Sequence, residues 1–208
     1  MKIGVPRETA AGERRIALVP ESAKKLVEQG NEVVIEKARS ASVDFPDTAY
    51  VAAGARIAAD AGEVLAGSDL VLKIQPPSEA EIDSLRTGAV LVAILQPFQN
   101  GDTVRRLAEK SVTSFSLDLL PRITRAQAMD VLSSMSTIAG YKGVLIAAAA
   151  LPKMVPLLMT AAGTLKPARF LILGVGVAGL QAIATARRLG AVVEAFDIRP
   201  AVKEQVES

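Results

Sequence analysis

The sequence predicts an α/β protein with parallel sheets, consisting of a doubly wound N-terminal domain over residues 1–132 and the start of a second α/β domain over residues 138–208. Three observations predict this fold class. Short apolar runs alternate with segments of helical period, as β-α-β units require. Half of the 208 residues are hydrophobic but only 3% are aromatic, so the core must be aliphatic. Residues 169–208 repeat the alternation, with a glycine-rich turn after their first strand.

The first half contains several candidate strands, each a short apolar run bounded by turn residues. They cover residues 2–5, 32–35, 70–74, 90–95 and 113–115. Because helical segments separate them, the strands are expected to be parallel and covered by helices on both faces of the sheet.

Residues typical of helix boundaries lie between these strands. Pro20 suits the first turn of a helix over residues 21–29, and Gly30 suits the position after its end. Residues 78–81 fit a capping box, and Asn100 is a candidate N-cap for the helix over residues 103–110.

The second half is predicted to begin with helix and then return to β-α-β order. The segments are a helix over residues 124–151 with a break near residues 133–137, a loop over 159–167, a strand over 169–173, a helix over 178–189 ended by Gly190, a strand over 192–196, and a helix from Pro200. The clean apolar run 144–151 is far shorter than the ~20 residues that span a bilayer, so it predicts a buried helix. Since a dinucleotide site needs more strands than these, we expect the domain to be truncated.

Composition excludes several classes of function. A net charge of +2 without a basic stripe, and few aromatic residues, argue against nucleic-acid binding. Without cysteine there is no disulfide framework and no thiolate chemistry. The sequence has no histidine, so any acid–base chemistry must use another side chain. No signal peptide is predicted from the first residues.

The glycine-rich turn has the spacing GxGxxG over Gly174–Gly179, between a strand and a helix. Gly174 permits the tight turn, Gly176 lets a pyrophosphate approach the backbone, and Gly179 allows close packing of helix on strand. Val177 and Ala178 complete the loop at the helix N-terminus, where unpaired N–H groups favour negative charge. The pattern predicts a Rossmann dinucleotide-binding site.

Asp197 follows the next strand, 18 residues beyond Gly179. Its carboxylate can accept hydrogen bonds from the adenosine ribose and would repel a 2′-phosphate, so NAD(H) is predicted rather than NADP(H). Ile198 and Arg199 complete this end of the site, although Arg199 could also attract a 2′-phosphate. The alternative is a packing turn in which Asp197 only caps the helix near Pro200.

Several segments resemble the alanine dehydrogenase and pyridine nucleotide transhydrogenase superfamily. They are residues 3–8, 13–18 and 71–76 for the superfamily, and 120–134, 160–164 and 174–185 for its transhydrogenase branch. The resemblance covers the whole chain, although residues 37–42 replace a glycine-rich turn expected there. By the same resemblance, Arg15 and Lys73 correspond to keto-acid-binding residues of alanine dehydrogenases, and we interpret them here as structural ion-pairing residues.

The two branches differ in the chemistry they need. The resemblance places Gln96 where alanine dehydrogenases carry an acid–base histidine, and an amide cannot exchange a proton near neutral pH. Direct hydride transfer between two nicotinamides needs no such group.

The resemblance therefore implies an NAD(H)-binding component of a proton-translocating transhydrogenase. It implies that Arg122, Gln127 and Asp130 form a catalytic polar network and that Ser133 contacts the cofactor. All four residues would lie on the nicotinamide side of the site. It also implies a membrane proton-channel subunit, an NADP(H)-binding subunit, a homodimer at full length, and a cytoplasmic location peripheral to the membrane. No metal site is predicted.

Three hypotheses stay open on sequence alone. The chain could belong to a transhydrogenase, to an alanine dehydrogenase-like oxidoreductase, or to a truncated nucleotide-binding module without turnover. Spacing alone favours an ordinary salt-bridged helix start formed by Arg122, Arg125 and Asp130, with Ser133 and Ser134 on a polar helix face. The resemblance favours the polar network instead.

Overall fold

The computed structural model describes residues 1–37 and 45–207. The chain divides into two compact units, Met1–Met129 and Asp130–Ser208. Most of the segment 37–42, which was expected to replace a glycine-rich turn, lies outside the described residues.

The first unit is a six-stranded sheet in which every pairing is parallel. Its strands are β1 (Lys2–Val5), β2 (Glu32–Glu36), β3 (Arg56–Ala58), β4 (Leu70–Leu72), β5 (Val90–Ala93) and β6 (Thr113–Ser116). Their order is β3-β2-β1-β4-β5-β6. The chain therefore winds outward from β1 in one direction and then from β4 in the other, which confirms the predicted doubly wound α/β fold.

Helices connect these strands. They are α1 (Pro20–Glu28), α2 (Asp47–Ala52), α3 (Ala61–Gly67), α4 (Glu79–Ser84) and α5 (Gly101–Glu109), followed by short 3₁₀ helices over Leu117–Leu119 and Thr124–Met129. The capping box of α4 is formed: the Ser78 hydroxyl accepts from the Glu81 amide, and the Glu81 carboxylate accepts from the Ser78 amide. Apolar side chains fill the space between sheet and helices, and Val5, Val34, Val64, Val71 and Leu91 are fully buried.

The second unit is smaller. It contains α6 (Val131–Ala150), β7 (Leu158–Thr160), β8 (Gly163–Leu165), β9 (Arg169–Leu173), α7 (Val177–Arg188), β10 (Val192–Phe196), a 3₁₀ turn over Pro200–Val202 and α8 (Lys203–Glu207). Strands β9 and β10 are parallel, as the β-α-β prediction requires. Both α6 and α7 pack on this pair through a core that includes Val144, Phe170 and Ala186.

Several sequence-based expectations about individual elements were wrong. Strand β3 was missed because its three residues offer too short a run to detect. Residues 159–165, expected to lie in a loop over 159–167, belong to an antiparallel hairpin over residues 158–165. Asn100 is the N-cap residue of α5, as predicted, but its side-chain amide donates to the Leu95 carbonyl at 2.9 Å and makes no capping hydrogen bond.

Helix α6 also differs from its prediction. It is continuous through residues 133–137, and the break falls at Asp130, which caps its N-terminus. The expected burial is only partial: Gly140 and Val144 are buried in α6, and Ala148 packs partly buried against the same core. Among the described residues, α6 is the one helix long and apolar enough to cross a bilayer, a weak indication because core helices of soluble proteins share both properties.

Candidate nucleotide site

The glycine turn after β9 adopts a conformation that its sequence makes possible. Gly174 has a φ of +91°, in a region that side chains disfavour. Its amide donates to the Phe196 carbonyl at 2.8 Å, which ties the turn to the end of β10. Gly176 occupies the N-cap of α7 in an extended conformation. The chain therefore leaves β9 and enters α7 in a turn of three residues.

Close backbone approaches explain two further glycines. A Cβ added at Gly179 would lie 1.9 Å from the Gly174 carbonyl oxygen, and one at Gly140 would lie 2.1 Å from the Ala178 carbonyl oxygen. Gly179 thus lets α7 begin directly against the turn, as predicted. Gly140 lets α6 contact the first turn of α7, a role that was not predicted because an isolated glycine in a helix carries no spacing signal.

The N-terminus of α7 has the features of an anion site. Gly176 offers no side chain to cap the first N–H groups, which include those of Val177 and Ala178. A Cβ placed on Gly176 would meet no atom within 4 Å, so the space in front of the turn is open. Unpaired amides and the helix dipole both favour a phosphate there.

Asp197 lies directly after β10 and is fixed beside the turn. Its Oδ2 accepts from the Val175 amide at 2.7 Å, and its Oδ1 accepts from the Arg199 amide at 2.8 Å. The Arg199 guanidinium donates to both carboxylate oxygens at 3.0 Å. Hydrogen bonds from Arg199, and then from the Val175 amide, lower the pKa of Asp197 well below its usual range. The carboxylate is therefore anionic and held in one orientation.

A shallow cavity adjoins this carboxylate. Its lining includes Val175, Ala195, Asp197, Arg199 and Val202. The neighbouring Ile198 side chain is 86% exposed. An apolar slot beside a fixed carboxylate suits the adenine and ribose of a nucleotide.

The residues predicted for the nicotinamide side fall in both units. Arg122 and Gln127 are exposed, in and beside the Thr124–Met129 helix of the first unit. Asp130 and Ser133 begin α6 in the second unit, where Asp130 accepts from the Ser133 amide at 2.9 Å and from its hydroxyl at 2.6 Å. Asp130 therefore acts as a helix cap, and its predicted network with Arg122 and Gln127 stays a prediction.

Charged side chains line the carboxyl edge of the first sheet, which is the side of the sheet where its strands end. The Lys73 ammonium, 1% exposed, lies 2.7 Å from Glu81 and 3.4 Å from Glu8. The Arg15 guanidinium contacts the Glu13 carboxylate at 2.6 Å, and this hydrogen bond chiefly lowers the pKa of Glu13 to about 2. Arg15 and Lys73 are thus ion-paired. Glu8 and Glu81 were not predicted as ion-pair partners of Lys73, although Glu81 was predicted as part of the capping box.

Gln96 follows β5 at the same edge. It has a φ of +47°, an unusual value for a residue with a side chain, and it is exposed. Among the described residues, no cluster of three or more His, Cys, Asp or Glu side chains could hold a metal ion.

Comparisons with known proteins match the whole chain. A model for the alanine dehydrogenase/PNT N-terminal domain matches residues 4–139, and one for the corresponding C-terminal domain matches residues 143–208. The chain is 48% identical, over its full length, to an NAD(P) transhydrogenase subunit alpha polypeptide of Rhodospirillum rubrum, of which it covers 56%. It is 32% identical over 95% of its length to the alanine dehydrogenase of Halomonas elongata, of which it covers 53%.

A solved structure agrees with these relatives. The transhydrogenase from Sinorhizobium meliloti superimposes on 100% of the chain with a TM-score of 0.94 and 46% sequence identity, and 62% of that protein is covered. The chain spans about half the length of the curated relatives it matches.

Proposed function

The chain belongs to the alanine dehydrogenase/PNT family, and we propose that it is the NAD(H)-binding component of a proton-translocating transhydrogenase. The observation that carries the proposal is the fixed Asp197 carboxylate beside the open glycine turn of α7. A dinucleotide needs both features, one for its ribose and one for its pyrophosphate.

The residues of the second unit fit NAD(H). Gly174, Gly176 and the amides of Val177, Ala178 and Gly179 would hold the pyrophosphate. Asp197 would accept hydrogen bonds from the ribose, next to Ile198. Arg199 is bonded to the Asp197 carboxylate, so the pair carries no net charge and offers the 2′-phosphate of NADP(H) little attraction.

When bound, the nicotinamide of NAD(H) supplies the hydride donor or acceptor. In this proposal the chain does no covalent chemistry, and its side chains fix ring and ribose orientation. Arg122, Gln127 and Asp130 are the proposed positioning network, with Ser133 at the cofactor. Correct orientation is worth much of the rate of a bimolecular transfer.

The first unit favours a transhydrogenase over an amino-acid dehydrogenase. Lys73 is buried between two carboxylates, and Arg15 is bound to Glu13, so both cations are already neutralised. Gln96 cannot move a proton between an amine and an imine. A keto acid would therefore find neither a free cation nor an acid–base group among these residues.

The proposed reaction is NADH + NADP⁺ ⇌ NAD⁺ + NADPH, coupled to proton movement across a membrane. An NADP(H)-binding subunit and a membrane proton-channel subunit would be the partners. The chain would be cytoplasmic, peripheral to the membrane through them, and dimeric in its full-length form.

Calorimetric titration with NADH, NADPH and pyruvate tests the proposal. We expect NADH to bind and NADPH and pyruvate not to bind. The variant Asp197→Asn keeps a hydrogen-bond acceptor but removes the charge, so it should gain NADPH binding. Asp102→Asn, on the exposed face of α5, is the matched control and should behave as the unmodified chain.

The other outcomes decide against the proposal. Pyruvate-dependent oxidation of NADH would identify an amino-acid dehydrogenase. Absence of binding of any nucleotide would leave a module that does not turn over.

A further inference from the structure

The turn after β5 is held in an unfavourable backbone conformation. Gln96 has a left-handed φ of +47°, where the Cβ crowds the following carbonyl oxygen. Such conformations persist only where neighbouring groups fix them, and they concentrate at functional sites. The groups that hold Gln96 in this conformation therefore indicate the role of the turn after β5.

Side chains hold this turn from two directions. Asp118 Oδ1 accepts from the Leu95 amide at 3.1 Å and from the Gln96 amide at 3.4 Å. Asn100 Nδ2 donates to the Leu95 carbonyl at 2.9 Å and to the Gln96 carbonyl at 3.4 Å. Both peptide groups flanking the left-handed residue are thus bound.

Asp118 also fixes its own segment. The Ser116 hydroxyl, at the end of β6, donates to the same Oδ1 at 2.6 Å. Burial alone would raise the pKa of Asp118, but hydrogen bonds from Ser116 and from backbone amides outweigh it and lower that pKa. The carboxylate is therefore ionised, which strengthens each bond it accepts.

Asp118 lies at the start, or root, of the 119–129 segment, which carries the proposed positioning residues Arg122 and Gln127. It lies in the Leu117–Leu119 helix, and Arg122 and Gln127 follow it in sequence. Its hydrogen bonds join this root to the carboxyl end of β5, the strand that pairs with β6 in the six-stranded sheet.

We propose that Asp118 is a positioning residue for hydride transfer, which anchors the root of the 119–129 segment on the turn after β5 so that Arg122 and Gln127 point in a fixed direction. This inference rests on the proposed function, in which those two residues orient the nicotinamide.

Amide hydrogen exchange tests the anchor in the chain by itself. Asp118→Ala should speed exchange at Leu95, at Gln96 and through residues 117–129. Asp69→Ala is the matched control, because Asp69 also accepts a hydrogen bond from a backbone amide, that of Lys2 at 2.8 Å. It lies directly before β4, at the amino ends of the strands and away from the turn after β5. This variant should leave residues 117–129 unchanged. Equal exchange in that segment for both variants would overturn the anchor.

Hydride transfer in the assembled transhydrogenase tests the role. Asp118→Ala should slow transfer by about tenfold or more, while the NADH dissociation constant changes by less than about threefold. Asp118→Asn retains the Oδ1 acceptor and should restore most of the rate. Asp69→Ala should affect stability but leave both the rate and the affinity unchanged.

Three results would contradict this role. They are transfer by Asp118→Ala at the rate of Asp69→Ala, an affinity loss as large as the rate loss, and no rescue by asparagine. If Asp118→Ala does not fold, Ser116→Ala is the second variant. It removes one of the three bonds to Asp118 and the bond that the Leu95 amide donates to the Ser116 hydroxyl at 3.3 Å, and it should give a smaller change in the same direction. If the unmodified enzyme transfers no hydride, the proposed function fails, whereas the exchange experiment still reports on the anchor.

Discussion

The two parallel sheets differ at their carboxyl edges, where the strands are followed by loops. In the first unit the charges at this edge pair with one another around a small cavity, with Lys73 buried between Glu8 and Glu81. In the second unit the corresponding edge carries a glycine turn, open space and uncapped amides. Ligands of open α/β sheets bind at this edge. The cavities at the second edge, of about 540 and 480 Å³, are larger than the cavity of about 110 Å³ at the first, so the second edge is the one with room for a nucleotide.

The difference follows from side-chain chemistry. A buried ammonium is stable only beside carboxylates, so Lys73 requires acidic partners at the first edge, and these side chains leave only a small cavity there. Glycine has no side chain, so Gly176 leaves the amides at the N-terminus of α7 accessible to an anionic ligand. If this account is correct, variants at the first edge should change stability, and variants at the second should change binding.

The largest expected effect is on the stability of the first unit. Lys73→Met would leave the carboxylates of Glu8 and Glu81 buried without a countercharge, which costs about 3–5 kcal/mol when one partner of a buried pair is removed. Chemical denaturation should show this loss in the unfolding of the first unit, and calorimetry should show unchanged NADH affinity.

Lys24→Met is the control, because Lys24 lies on the exposed side of α1 beside Glu28. A stability loss no greater than in that control would mean that the buried cluster is dispensable. Loss of NADH affinity in folded Lys73→Met would mean that the two edges do not act separately.

The next largest effect is on the glycine turn. Gly179→Ala places a Cβ 1.9 Å from the Gly174 carbonyl oxygen, so the turn must move. Overpacking of this kind costs about 1–3 kcal/mol. NADH affinity, measured by calorimetry, should fall by roughly tenfold or more, the equivalent of about 1.4 kcal/mol.

Gly176→Ala separates folding from binding at the same turn. Its φ of −83° suits alanine and the added Cβ meets no atom within 4 Å, so the free energy of unfolding should fall by only about 1 kcal/mol, the cost of alanine at an N-cap. NADH affinity should still fall, because the methyl group stands where the pyrophosphate approaches. Unchanged affinity in this variant would remove the turn from the nucleotide site.

The smallest effect is the pH dependence of the first edge. The pKa of Glu13 is about 2 in the folded protein, against an ordinary value of 4.5, so its ionised form stabilises the fold. This contribution is fully present above pH 4.5 and is lost as pH falls from there toward 2.

Glu13→Gln checks this dependence. The difference in melting temperature between the unmodified chain and the variant should shrink as pH falls through that window. A constant difference would show that the charge of Glu13, and with it the bond to Arg15, does not contribute.

Much of the fold and part of the candidate site could be predicted because their signals are local. Alternating apolar runs predicted most of the parallel strands, and Ser78 with Glu81 predicted the start of α4. Gly174, Gly179 and Asp197 were predicted by spacing, and the structure brings the turn and the carboxylate together. The exposure of α6 could not be predicted, because an apolar helix has the same composition whether or not other residues cover it.

The sequence by itself determined the fold class, most of the parallel strands, the positions of the glycines and the lack of histidine in these 208 residues, because these depend on neighbouring residues and on residue type. Only the tertiary structure decided which charges meet. Lys73 and Glu8 are far apart in sequence, as are Asp197 and Val175, and parallel strands bring each pair to one edge. Contacts of this kind depend on how strands pair, which no local pattern specifies. Such contacts distinguish the charged edge of the first sheet from the more open edge of the second.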